Sequence, residues 1–312
     1  MAEAVERVLK TKVASVVKIA KGEFNQVFKV TLETKVPVVA RIFRNKNFPN
    51  IDDLLWIEKQ FALHKLPHAE ILHCSRDSSY FQYGLMITKF VHGTSGDDAI
   101  KNGAVTFELF HHKLAALLKK VHKIKIDNYG FLNTGKGTAS SFLHFWLEKM
   151  KEVYDMKYKT IPNFDHQLYL KTVAVVTKLL DPIQNKFAPV LTHCDPGPDN
   201  CIWTEDNQIV LIDWDTAMSG IWPYDLAVLT YSGSHLSKFG SLEERQEKIR
   251  NIFLRLNTVN NLSVADFKNT ERALHLIYAF SLLNYYYFGL KNIERYDLTV
   301  KGINSLLKSS NI

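Results

Sequence analysis

Residues 191–217 read LTHCDPGPDNCIWTEDNQIVLIDWDTA. The stretch divides into loop, strand, turn, strand and loop. Cys201 to Thr204 and Gln208 to Ile212 are short runs of strand-forming residues, separated by Glu205-Asp206-Asn207, which favour turns. The pattern predicts a β-hairpin. A hairpin returns the chain to its own start. Asn200, just before the first strand, and Asp213, just after the second, are therefore expected to meet. Asp195 precedes Asn200 by five residues, in the loop HCDPGPDN.

An acid, an amide and a second acid in this order suit phosphoryl transfer. The reaction needs a group that orients and deprotonates the acceptor hydroxyl, and hard oxygen ligands that hold Mg2+ against the phosphates of ATP. Asp195, in a loop, is the candidate base. Asn200 and Asp213 are the candidate Mg2+ ligands. Their offsets are those of the protein-kinase catalytic and metal loops. A lone H-x-D would carry little weight, but here the polar positions flank a strand pair.

At these residues the chain resembles the aminoglycoside phosphotransferase and choline kinase superfamily, whose pattern is H-x-D-x-x-x-x-N followed by I-D-W or I-D-F. His193, Asp195, Asn200, Asp213 and Trp214 match it, and Asp225-Leu226-Ala227 matches the D-L-A that follows. The resemblance implies an α+β, bilobal, protein-kinase-like fold. Its small five-stranded N-lobe, with one main helix, would span residues 1–91, and its larger, mostly helical C-lobe residues 92–312. It also implies ATP or GTP as donor and a small hydroxyl-bearing acceptor. His193 is expected to brace this loop by hydrogen bonds, and Asp225, as the same residue does in the family, to anchor the loop that follows it.

The first ninety residues fit such a lobe. After a short helical stretch, residues 13–20, 24–32 and 36–43 read as strands, 52–65 as a helix, and 69–75 and 80–90 as two more strands. Gly22, in Lys21-Gly22-Glu23-Phe24-Asn25, opens either an ordinary hairpin turn or a shortened loop over the phosphates. Arg41 stands where protein kinases carry lysine, and arginine clamps phosphate bidentately. Choline and ethanolamine kinases resemble this chain in using arginine there, whereas aminoglycoside phosphotransferases usually have lysine. Glu58, on the following helix, is the expected partner that holds Arg41 in place; its alternative is a solvated helix charge. Thr88 to Phe90 resembles the family's hinge, where main chain would bond the purine.

Beyond residue 104 the apolar spacing turns helical and stays so for most of the chain. Residues 131–137, with two glycines, read as a connector, since no helix N-terminus follows at the spacing of a P-loop. Val264 to Tyr287 is expected as one helix. It contains most of Tyr285-Tyr286-Tyr287-Phe288, four aromatics that cover every helix face, so at least two are expected in the core.

Composition narrows the possibilities. The net charge is +7, but the basic residues are scattered, and a nucleic-acid role would want a denser patch. Three cysteines without a CxxC pair argue against a disulfide framework or a zinc site. No apolar run approaches a membrane span, and the N-terminus lacks the apolar core of a signal peptide, so a cytoplasmic protein without membrane partner is expected. Residues 221–312 hold eight Asp or Glu and eleven Lys or Arg, which counts mildly against a polycationic aminoglycoside as acceptor. Arg41 and the aromatics lean towards an amino alcohol such as choline. The rival from another class is a nucleotide-binding pseudokinase, which the intact Asp195, Asn200 and Asp213 oppose.

Overall fold

The computed structural model describes residues 1–20, 25–76, 79–232, 239–256 and 262–308. In chain order the elements begin with α1 (Ala2–Leu9), β1 (Val13–Ala20), β2 (Asn25–Leu32), β3 (Pro37–Phe43), α2 (Ile51–His64), β4 (Ile71–Ser75), β5 (Leu85–Lys89), β6 (Gly93–Ser95) and α3 (Gly96–Lys101). Then come α4 (Phe107–Val121), β7 (Tyr129–Asn133), β8 (Lys136–Ala139), α5 (Phe142–Met156), α6 (His166–Leu180), β9 (Val190–Thr192), β10 (Cys201–Thr204) and β11 (Ile209–Leu211). The last are β12 (Met218–Gly220), α7 (Pro223–Ser232), α8 (Leu242–Leu256), α9 (Val264–Asn284) and α10 (Ile293–Lys308).

These elements form two compact units. The first comprises residues 1–106, 133–135 and 198–216; the second comprises 107–132, 136–197 and 217–312. A single cut after residue 91 does not express this division, because β6, α3 and the β10–β11 hairpin cluster with the N-terminal part.

The first unit contains the expected five-stranded antiparallel sheet, in the order β1-β2-β3-β5-β4. Side chains alternate across a strand. One face presents Val30 and Leu32, Val38 and Ala40, and Leu85 and Ile87 to Ala4 and Val5 of α1. Arg41 has the opposite parity to Val38 and Ala40, so it stands on the other face. Helix α2 starts at Asn50, whose side chain accepts the Asp52 N–H, and ends at Lys65 in the left-handed region. Asp52 and Asp53 in its first turn complement the helix dipole. It buries Leu54, Ile57 and Phe61, each stabilising by roughly 1.5–3 kcal/mol.

Asp53 also reaches the tip of the β7–β8 hairpin, accepting the Thr134 N–H at 2.7 Å. Residues 131–137 are thus no loose connector but the end of one strand, a tight turn and the start of another. Thr134 and Gly135 both have positive φ, as a two-residue hairpin turn of the right twist requires. A Cβ on Gly135 would fall 2.3 Å from the Trp56 ring.

In the second unit, a four-stranded sheet runs β8-β7-β12-β9. The helices pack around α9, which buries Ala273, Leu274, Leu276, Ile277, Ala279, Phe280 and Leu283. A helix apolar around most of its circumference belongs inside a domain. It opens with a reciprocal Ser263–Asp266 capping box. It closes earlier than the sequence suggests, at Asn284, and Tyr285–Gly289 forms a π-turn. None of the four aromatics there is fully buried, which corrects the expectation of two in the core. The unit is mostly helical, and the chain is α+β as expected. No helix among the described residues is long and apolar enough to cross a membrane.

Candidate active site

The loop that carries Asp195 leaves β9, whose three residues are all buried. His193 and Asp225 are fully buried. Asp225, in the first turn of α7, accepts the His193 N–H at 3.1 Å and the Cys194 N–H at 2.8 Å. It also accepts from His122 Nε2 at 2.9 Å. One carboxylate therefore holds two successive backbone amides and a ring from the end of α4. Cys194 has a φ of 68°, a left-handed conformation that is strained for a side-chain-bearing residue. That reversal precedes Asp195, whose N–H donates to His193 Nδ1 at 3.3 Å. His193 Nδ1 thus acts as acceptor, which places the proton of a neutral ring on Nε2. His193 braces the loop through its ring. Asp195 itself is half-buried.

The Cys194 thiol is pushed well up by burial first and by Asp225 next, and burial pushes the Cys74 thiol up to about 11. Neither is a thiolate nucleophile near neutral pH. Tyr224, buried beside the loop, has its phenol raised by burial and then by Cys194, with Tyr278, Asp225 and Asp195 adding to it. The Trp146 ring stacks on Tyr224 at 5.5 Å, and its Nε1–H is buried without a partner.

The ligand candidates Asn200 and Asp213 belong to the first unit. β10 pairs with β11 in the register Cys201–Leu211, and the Ile212 N–H donates to the Asn200 carbonyl at 2.9 Å. Asn200 and Asp213 therefore flank the open end of one hairpin, as the turn chemistry predicts. β6 completes the sheet on the other side of β10. A Cβ on Gly93 there would meet the Trp203 carbonyl at 2.3 Å, so only glycine lets these strands approach. Asp213 has a φ of 62°, a conformation aspartate tolerates better than most residues. After it, Trp214 donates from Nε1 to the Leu211 carbonyl at 3.2 Å and packs edge-on against Phe61 of α2 at 4.7 Å.

Arg41 is buried in the sheet face opposite α1 and pairs with two acids. Nη1 lies 3.3 Å from Asp213, and Nη2 is bonded to Asp215. Burial pulls its pKa down, and Asp213 opposes the change. Glu58 is not its partner, which corrects the sequence expectation. Glu58 accepts the Ile71 N–H at 3.1 Å and lies 3.3 Å from His68. Ile71 opens β4, two strands from β3 across β5, so Glu58 is held roughly 10 Å to the side. Asp215 was the residue to find, and its only sequence signal is acidity two positions after Asp213.

Thr88 is buried within the ladder, opposite Val39 and Ile71, and the Lys89 N–H donates to the Glu70 carbonyl. The strand ends at Lys89, so the first main chain clear of the ladder begins at Phe90. The Phe90 ring lies under Lys29 Nζ at 4.4 Å and meets His92 edge-on. Of the two expected hinge residues, Phe90 retains main chain for a ligand and Thr88 does not. Gly22 lies outside the described residues.

An amide oxygen and a half-exposed carboxylate at one hairpin end fit Mg2+, which takes few protein oxygens and keeps several waters. Among the described residues no three His, Cys, Asp or Glu side chains converge as a metal site.

The profile of the Phosphotransferase enzyme family matches residues 15–248. No curated protein sequence matches. Among solved structures, aminoglycoside phosphotransferase APH(4)-Ia superposes with a TM-score of 0.73 at 17% identity, over 100% of both chains. The GDP and kanamycin complex of APH(2")-IIia gives 0.65 at 12% identity, over 99% of this chain and 98% of that one. Choline kinase LicA from Streptococcus pneumoniae gives 0.60 at 16% identity, over 97% of each. At these identities the likeness shows a shared kinase-like fold.

Proposed function

Since the chain belongs to the phosphotransferase enzyme family, we propose that it moves the γ-phosphoryl group of ATP or GTP to a hydroxyl of a small molecule, with Asp195 as base and Mg2+ held by Asn200 and Asp213. The observation that carries this reading is the hairpin end, where Asn200 and Asp213 flank one opening with Arg41 beside Asp213.

Each residue has a definite task. Asp195, on a loop held by Asp225, orients the acceptor hydroxyl and takes its proton as the new P–O bond forms and the γ-phosphorus parts from the bridging oxygen, releasing ADP or GDP. Arg41 offers two terminal N–H groups to the donor phosphates. Phe90 and the residues after it offer main chain to the purine. Mg2+, when bound, neutralises charge on the phosphates. A nucleoside-triphosphate donor fits the cytoplasmic location expected from the sequence.

Solved relatives are complexes with AMP-PNP and hygromycin B, with GDP and kanamycin, and, for the choline kinase, with AMP. They support a nucleotide donor and a small hydroxylated acceptor. Arginine at position 41 favours a choline-type amino alcohol over an aminoglycoside.

The test is ADP and GDP release with Mg2+ across choline, ethanolamine, aminoglycosides, sugars and homoserine, with Asp195→Asn beside the wild type. Release stimulated by one acceptor and lowered by about 10²–10⁴ in the variant is expected. Near-full turnover by Asp195→Asn would refute the base, and tight nucleotide binding without turnover would favour the pseudokinase.

A further inference from the structure

We infer that Asp215 positions Arg41 for the phosphates, and that Asp213 is the exchangeable partner of the same guanidinium. The inference rests on the phosphate role proposed for Arg41. A buried guanidinium needs a resident counter-charge, because an unpaired charge in a dry site is costly. The Arg41 side chain is 9% exposed, and its two acids differ sharply: Asp215 is 6% exposed and Asp213 52%. The buried acid has no route to a metal in solvent. The exposed one can turn from Arg41 to an ion without losing solvation.

Local structure supports this division. Asp213 and Asp215 flank Trp214, which is locked by its bond to Leu211 and its contact with Phe61. Both carboxylates thus project from one fixed turn. Glu58, which a lysine-and-helix arrangement would use, is committed to the β4 edge. When Mg2+ and nucleotide bind, Asp213 serves the ion, and Arg41 keeps Asp215 and points its remaining donors at phosphate. Asp215 acts through Arg41 and is a positioning residue.

The experiment measures ADP affinity with a fluorescent analogue, in Mg2+ and in EDTA, for the wild type and for Asp215→Asn, Asp215→Glu, Asp213→Asn and Glu58→Gln. Asp215→Asn should weaken binding about tenfold in both buffers, and Asp215→Glu should recover most of it. Asp213→Asn should weaken binding only in Mg2+. If Asp215→Asn acts only in Mg2+, Asp215 is a metal ligand and the inference falls. It falls equally if Glu58→Gln weakens ADP as much as Asp215→Asn does. A double-mutant cycle of Arg41→Met with Asp215→Asn, read by urea unfolding of the ligand-free protein, needs no nucleotide. Coupling of about tenfold in the folding constant is expected, and additivity overturns the pairing. A wild type that binds neither ADP nor GDP would sink the proposed function, while the cycle would still decide the pairing.

Discussion

Asp225 holds the loop that carries Asp195. Its two oxygens receive three donors, two of them consecutive backbone amides, with no exposure to water. Asparagine at this position turns one acceptor into a donor that faces another donor. Asp225→Asn is expected to cost about 2–4 kcal/mol of stability, since a buried amide loses its partner. It should also lower kcat by about 10- to 100-fold through misplacement of Asp195. Urea unfolding and steady-state turnover check both, and an unchanged kcat would mean the loop holds without its anchor. His122 belongs to the same arrangement. Its partner lies 103 positions away, beyond the reach of local sequence patterns.

The π-turn at the end of α9 follows a turn that holds a buried side-chain hydrogen bond. The buried Tyr158 hydroxyl donates to the Phe280 carbonyl at 2.5 Å, in the last turns of α9. Residues 280 and 284 are the two ends of one i to i+4 helix bond. A hydroxyl that competes for the Phe280 carbonyl is expected to weaken that bond and favour the wider turn that follows. Tyr287 then packs on Tyr296, and the Tyr286 ring receives Arg295. Tyr158→Phe should let the α-helix run on and rotate the aromatics that follow by about 100° per residue of register. Hydrogen exchange of the amides at 284–290 should slow at the C-terminal end of α9, while global stability falls by about 1 kcal/mol. Unchanged exchange would show that the aromatics, not Tyr158, set the π-turn.

At the scale of the whole molecule, stability should depend on pH through buried histidines, His111 and His275 among them. His111, on α4, is packed among Phe107 and Phe110. Burial lowers its pKa from 6.5 to about 4, against opposing effects of the Phe107 carbonyl and Glu108. The unfolded chain takes up the proton near 6.5, whereas the folded one waits until about 4. The stabilisation from a neutral His111 is therefore full above 6.5 and is lost as the pH falls towards 4. The loss amounts to about 3 kcal/mol at most. Urea midpoints at mildly acid and neutral pH should separate for the wild type and separate less for His111→Phe. Equal separation in both would assign the acid sensitivity elsewhere.

Periodicity and turn chemistry act over a few residues, and what they control was legible from sequence alone. The five-stranded sheet, the hairpin after Asn200, the helices from Phe107 onward and the candidate trio Asp195, Asn200 and Asp213 all follow from local spacing. The partners of charged side chains were not legible in the same way. Glu58 reads as the natural mate of Arg41, yet strand order holds it at β4, while Asp215, 174 positions from Arg41, takes the pair. The hairpin at 134–135 joins the first unit through Asp53 and Trp56, and the Phe280 carbonyl just before the π-turn accepts from a tyrosine 122 residues earlier. Local sequence specifies which elements form and which groups carry chemistry. Which charge meets which is set by sheet order and register, so only the tertiary structure decides it.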